Sequence, residues 1–309
     1  LLLSLPVLLN YNSIQNVIEK KVSSEFKINL KIIDDISLKI FPRPYYLVKK
    51  ANIDLNIKNN KSSIIETKNL KIFIPLKTVY SKSNINIQEI EIEKANIYFN
   101  INDILDFRNH LYYKINKPIH IKKSVFFLKD KNNKTIIISP IKKLNYFINT
   151  KGNSKELKIN GNIFDINYNS SWKRNYNKPK NSLNEIKFKN PNLFVKNFFS
   201  YNDKSNFGGR SSISFLNEYI IFNYLKKDKK IFINSLDEEE NHKIKLNSKI
   251  ELEPFFIDLT IEFNDKRPNF FIDNFLYVIL NSEEYLGNIN GKLNLEIINL
   301  KNSLINDGK

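Results

Sequence analysis

Hydrophobic positions along the chain repeat with two different periods, and the change of period divides it. From Tyr11 to Ser24, Ile14, Ile18 and Val22 recur at i, i+4 and i+8 with Val17 beside them. That narrow apolar stripe predicts an amphipathic helix over 11–25, with Ser13 placed to cap it. From Phe26 the period falls to two. Phe26, Ile28, Leu30 and Ile32 alternate with Lys27, Asn29 and Lys31, and Ile36, Leu38 and Ile40 resume after Asp34-Asp35. The alternation returns at Ile53, Leu55 and Ile57, at Ile85 and Ile87, at Ile90 and Ile92, and at Ile97 and Phe99. It continues through Ile159, Ile163, Ile166 and Tyr168 and from Ile244 to Phe263, and ends at Ile297. Between the runs stand Asn59-Asn60, Asn132-Asn133, Gly152-Asn153, Gly208-Gly209 and Asp228-Lys229. These residue types accept the positive φ of tight hairpin turns. The prediction is a mainly β chain: a long succession of antiparallel hairpins with one apolar face.

A faint repeat agrees. Val48-Lys49-Lys50-Ala51-Asn52-Ile53, leading to Lys58-Asn59-Asn60-Lys61, is echoed by Ile121-Lys122-Lys123-Ser124-Val125-Phe126, leading to Lys131-Asn132-Asn133-Lys134. Glu93-Lys94-Ala95-Asn96-Ile97 is a third, partial copy. Repeated hairpins imply an extended array in which each unit buries its face against its neighbours. Pro268 to Leu286, with Phe271, Phe275 and Ile279 at i, i+4 and i+8, predicts a helix near the C-terminus, and Asn102 to Phe107 a further short turn of helix. Leu1 to Leu9 is apolar but shorter than the ~20 residues that cross a bilayer. Residues 1–10 are expected to be the remainder of an uncleaved N-terminal membrane anchor.

Composition removes several alternatives. The 309 residues include 23 Phe and 15 Tyr, apolar surface enough to exclude a disordered chain. Zero Cys excludes a disulfide scaffold, a thiol nucleophile and any Cys-based metal site. The net charge of +17 would ordinarily suggest nucleic acid. Lys, Asn and Ile crowd the whole chain at the expense of Gly (7) and Pro (10), however, as an AT-rich coding sequence produces. The excess is spread rather than clustered, and no nucleic-acid partner is expected. Trp172-Lys173-Arg174-Asn175-Tyr176, the nearest approach to aromatics interleaved with basic residues, reads better as an aromatic closing a sheet edge.

Signatures of catalysis are absent: no G-x-G-x-x-G, P-loop, G-x-S-x-G or H-E-x-x-H. His110, His120 and His242 stand singly. Asp34-Asp35 suits a turn, and Asp237 to Glu240 a solvated loop tip. No catalytic residue, metal site or cofactor is expected.

Phe41-Pro42-Arg43-Pro44 carries a resemblance. It follows an apolar segment, a short helix and an alternating strand, and precedes an aromatic strand and Lys50-Ala51-Asn52-Ile53. In that order the region resembles the N-terminus of the AsmA family, bacterial envelope proteins anchored in the inner membrane and facing the periplasm. The resemblance covers roughly residues 1–100 and extends more loosely to about 175, so that 26–175 is expected to be an AsmA-like N-terminal β region and 176–309 a continuing β groove with the helix around 268–286. It implies a curved, open, taco-like sheet whose apolar groove holds phospholipid acyl chains and helps move lipid between inner and outer membranes. It also implies an inner-membrane protein with a single N-terminal anchor, its bulk periplasmic, whose partners are phospholipid, the inner membrane and outer-membrane components. Ile28, Leu30, Ile53, Leu55, Ile97 and Phe99 are the candidate groove residues. The competing expectation is a periplasmic scaffold or assembly factor for outer-membrane proteins, with the same alternation hidden in a closed, filled core.

Overall fold

The computed structural model of the chain describes residues 12–55, 64–79, 85–100, 103, 107, 110–111, 115–130, 132–177, 181–190, 192–201, 207–215, 218–236, 244–263 and 290–297. The expected anchor, the helix over 268–286, the Asn59-Asn60 turn, the 237–240 run and His242 lie outside these residues. The chain is mainly β: after an N-terminal helix, the described residues form eighteen strands of an open, mixed sheet. It divides into two compact units, residues 1–163 with 173–177 and residues 164–172 with 178–309. No described helix is long and apolar enough to cross a membrane.

Unit 1 opens with helix α1 (Asn12–Phe26). The helix runs past its expected end and takes in Phe26, which pattern alone placed in the first strand. Phe26 continues the stripe of Ile14, Ile18 and Val22 four residues on, and all four are buried. Lys27, at φ 56°, stops the helix in the left-handed conformation usual beyond a C-terminus. A second stripe, Gln15, Glu19 and Ser23, faces the edge of β1 (Asn29–Ile32). Glu19 accepts from Ile32 N (2.7 Å), Ser23 Oγ accepts from Leu30 N (3.3 Å), and Gln15 Nε2 donates to Ile32 O (3.2 Å). The helix thus satisfies polar groups that a bare strand edge would expose.

Strands β2 (Ile36–Lys39), β3 (Tyr45–Val48), β4 (Ala51–Asp54) and β5 (Ile64–Phe73) follow, β1 pairing with β4, β2 with β3, and both β3 and β4 with β5. Then come β6 (Glu89–Asn100), β7 (Ile119–Lys129), β8 (Thr135–Asn149) and β9 (Ser154–Ile163). All these pairs are antiparallel except β6 with β7, which run parallel. The expected purely antiparallel sheet is therefore mixed. A parallel step needs a long crossover rather than a hairpin, and residues 101–118 supply it.

The apolar phase of unit 1 slips by one residue at the same level in the β3–β4 connection and in the four strands β5 to β8. Buried residues are separated by two polar ones instead of one at Val48-Lys49-Lys50-Ala51, Thr67-Lys68-Asn69-Leu70, Ile92-Glu93-Lys94-Ala95 and Ile121-Lys122-Lys123-Ser124. Ile141-Lys142-Lys143-Leu144 repeats the step. Lys94 (φ 53°) and Lys123 (φ 49°) take up the extra residue in the left-handed region. Register is preserved from β5 to β8, Thr67 facing Ala95 and Asn96 facing Val125, and the offset is absorbed between Ile141 and Lys143 where β8 meets β9. These are in-register kinks of the pleat stacked at one level, and of the ladders there only β8–β9 carries the register shift of a β-bulge. Buried hydroxyls repair the interrupted ladder: Ser124 Oγ accepts from Ala95 N (3.0 Å), and Thr67 Oγ1 lies 3.0 Å from Glu93 O.

In unit 2, β10 (Ile166–Asn175, shared between the units) precedes β11 (Asn181–Phe188), β12 (Leu193–Tyr201), β13 (Phe207–Phe215), β14 (Glu218–Lys227), β15 (Lys230–Ser235), β16 (Ile244–Leu252), β17 (Phe255–Phe263) and β18 (Asn290–Ile297). Consecutive strands from β11 to β17 pair antiparallel, and β17 and β18 run parallel. Asn132-Asn133, Gly152-Asn153 and Asp228-Lys229 turn the chain as expected, with Asn133, Asn153 and Asp228 at positive φ. Gly208-Gly209 does not: both glycines lie inside β13. Tyr224 on β14 faces Gly209, where only a residue without a side chain leaves room for its ring.

Candidate functional site

The six groove residues named from sequence share one face of unit 1. Leu30, Ile53, Ile65, Ile97 and Phe126 form a row of register partners across β1, β4, β5, β6 and β7, with Ile28 and Leu55 at the next level. All six are buried, at 1–6% exposure, as are the helix residues Ile18, Val22 and Phe26. Buried Ile74, Val79, Ile85 and Ile87 from the β5–β6 connection, and Leu111 and Ile115 from the crossover, add to the same core. Tyr146 Oη pins the crossover, lying 2.7 Å from Leu111 O and 2.8 Å from Ile115 O. Lys155 joins it through Ile115 O (2.8 Å) and Asn116 Oδ1 (2.7 Å). Burial, with Arg174 adding like charge, pulls the Lys155 amine below its ordinary range. This face is packed by the chain itself.

The Phe41–Pro44 segment serves a local role. Phe41 is exposed, Arg43 donates to Glu89 (2.6 Å) and lies 4.2 Å from the Phe73 ring centre, and Pro44 O accepts from Ile74 N. It fastens the β2–β3 turn to β5 and β6. His110 is buried, and His120 Nδ1 lies 2.9 Å from Asn145 Oδ1. Among the described residues no three His, Asp or Glu gather to hold a metal.

On the outer face of unit 1 charges are laddered. Lys71 Nζ reaches Glu91 (2.8 Å) and Glu93 (3.0 Å), and Lys122 reaches the other oxygen of Glu91. Burial alone would raise the Glu91 carboxyl, but the hydrogen bonds from Lys122 and Lys71 outweigh it and hold the pKa at about 2 against an ordinary 4.5. Because the folded-state value is the lower one, this stabilisation is complete above the ordinary carboxylate range and fades as pH falls towards 2. Glu91→Gln is expected to cost on the order of 2 kcal/mol at pH 7 and to flatten the loss of stability below pH ~5, read by urea unfolding across pH. Equal acid sensitivity in parent and variant would contradict it.

Unit 2 presents the other apolar face. Among the described residues it holds only strands and their turns, a single layer. Val195, Ile213 and Ile220 are register partners, as are Ile231, Ile250 and Ile257. Ile220 and Phe222 on β14 cluster with Ile261 on β17, with Ile213, Tyr224, Ile233, Leu259 and Leu295 half-buried against them. On a flat sheet β14 and β17 would stand ~14 Å apart. Side chains from the two meet because the sheet curls towards this face, over small Ser235 and Ser248. Among the described residues the result is a curved apolar surface one layer thick.

No protein-family model, curated protein or solved structure matches this chain.

Sequence reading marked the Ile244 to Phe263 part of this face and a groove continuing over 176–309, but not the inward residues of β12 to β15, where the period-two run is broken by Asn197, Gly209, Ser211 and Ser235. The surviving signal was Ile220-Phe222-Tyr224 and Ile231-Ile233, alternation without the company of a long apolar run.

Proposed function

We propose that this chain is a non-enzymatic lipid-binding module of the cell envelope, holding phospholipid acyl chains on the curved apolar face of unit 2 and aiding lipid passage between inner and outer membranes. The observation that carries the reading is the cluster of Ile220, Phe222 and Ile261 across a single curled layer, bordered by half-buried apolar side chains. Each methylene laid there recovers about 0.8 kcal/mol, nearly what it had in a bilayer, so movement along the face is close to thermoneutral. The AsmA resemblance around Phe41–Pro44 supports the envelope setting, with an N-terminal inner-membrane anchor and a periplasmic bulk.

The purified chain is expected to carry phospholipid detectable by mass spectrometry. Ile213→Asn with Ile233→Asn should cut its binding of a fluorescent phospholipid at least tenfold while circular dichroism stays unchanged. Absence of both co-purified and added lipid would sink the proposal. That outcome favours the second reading, an envelope scaffold with a filled core, for which the fully buried face of unit 1 speaks.

A further inference from the structure

The stacked kinks of unit 1 also gather charge. At each of them one of the two polar residues between the buried positions is a lysine on the polar face, and the kinks lie at one level. Lys50 from the β3–β4 connection and Lys68, Lys94 and Lys123 from β5, β6 and β7 therefore converge on one cavity of about 470 Å³. Asn52 and Asn96 add amide groups to its lining, and Glu66 is the one carboxylate there. Thr67 and Ala95, small residues turned to the opposite face, let the backbone form the floor.

Charge balance separates this row from its neighbour. Lys71 and Lys122, one step along the same strands, are neutralised by Glu91 and Glu93. Among the described residues none of the four cavity lysines forms an ion pair with a carboxylate, and all four are exposed. Four like charges held around one hollow repel each other until an anion enters. The sequence repeat gains a reason here: Lys50-Ala51-Asn52, Lys94-Ala95-Asn96 and Lys123-Ser124-Val125 each supply a lysine, then a small inward residue that leaves it room.

The geometry points to an anion-binding cradle on the outer face of unit 1, formed by Lys50, Lys68, Lys94 and Lys123, for a phosphate monoester or diester. Ammonium groups converging from several directions suit a tetrahedral oxyanion with acceptors on every side, and the amides of Asn52 and Asn96 suit the ester substituents. Such a cavity is within the size range of small-ligand sites. The phosphate belongs either to a soluble ester or to a lipid headgroup. The inference is independent of the acyl-chain reading of unit 2, which concerns a different surface and hydrocarbon instead of charge.

The test uses the full chain at low salt with two probes, glycerol 3-phosphate by calorimetry and phosphatidylglycerol vesicles against phosphatidylcholine vesicles by co-sedimentation. Lys94→Asn with Lys123→Asn removes two charges while keeping a residue type that tolerates positive φ. Lys39→Gln with Lys77→Gln removes the same charge from exposed positions outside the cavity. Melting temperature confirms that both variants fold. The cradle variant is expected to weaken binding at least tenfold and the control less than twofold. Loss confined to glycerol 3-phosphate assigns a soluble ester, and loss confined to phosphatidylglycerol vesicles a headgroup. Binding of neither probe by the parent, or equal weakening by both variants, overturns the cradle.

Discussion

Val22→Asp is expected to abolish the folding of unit 1. Val22 is fully buried in the stripe that runs from Ile14 to Phe26, between the helix and the sheet face that carries Leu30 and Ile53. A carboxylate there has lost its water, and the stripe offers it only apolar neighbours. An unpaired buried charge costs well over ~4 kcal/mol once the lost packing is included, a large part of what a domain has in total. The helix would detach, and the backbone groups of Leu30 and Ile32 that Glu19 and Ser23 satisfy would face water. Hydrogen exchange should show amides of β4 to β8 losing protection, with those of β13 to β16 retained. Val22→Ala, which removes methyl groups without adding charge, should cost about 1–3 kcal/mol and leave the fold intact. A Val22→Asp protein whose protection and melting match the parent would refute the account of helix α1 as part of the core.

Gly209→Ala should destabilise unit 2 by about 3 kcal/mol. A Cβ built on Gly209 would sit 2.2 Å from Phe198 O, 2.5 Å from Tyr224 Oη and 2.7 Å from Tyr224 Cζ. The first is backbone of the paired strand and has no rotamer to change. The tyrosine must swing away, breaking its 2.8 Å hydrogen bond to Asn197 Oδ1. Gly152→Ala is the control: its added carbon would meet only the Asn149 side chain, at 3.0 Å and beyond, on a turn. It should shift the urea midpoint little. Comparable midpoints for the two variants would contradict the packing of Tyr224 over Gly209.

Pattern alone located most strands of unit 1, because a sheet with one packed face needs an apolar residue at every second position and the runs Ile28 to Ile32, Ile36 to Ile40, Ile53 to Leu55 and Ile97 to Phe99 obey that rule. It located the helix too, missing its end by one residue. Phe26 satisfies both a four-residue and a two-residue repeat, and only the packing of its ring chose between them. Gly208-Gly209 misled for a similar reason. Glycine permits a tight turn and a close approach between strands equally well, and the approaching group, Tyr224, lies on another strand. The direction of β6 against β7 was likewise hidden, since alternation carries no sign.

The candidate sites were less legible than the strands. Ile28, Leu30, Ile53, Leu55, Ile97 and Phe99 share one buried apolar face, but whether such a face is covered depends on what else the chain folds over it. The lysines looked dispersed because they are dispersed in sequence. Lys50, Lys68, Lys94 and Lys123 become one feature only because the residues beside them are paired across β4, β5, β6 and β7.

The amino-acid order by itself determined which residues are apolar, with what period, and hence that this chain is a helix followed by pleated strands. Those are local properties, set by how a side chain's direction alternates along its own backbone. Tertiary structure decided which faces are filled, which way strands run and which charges meet. Those depend on contacts between residues far apart in sequence, and a shift of one residue in register would have changed every one of them.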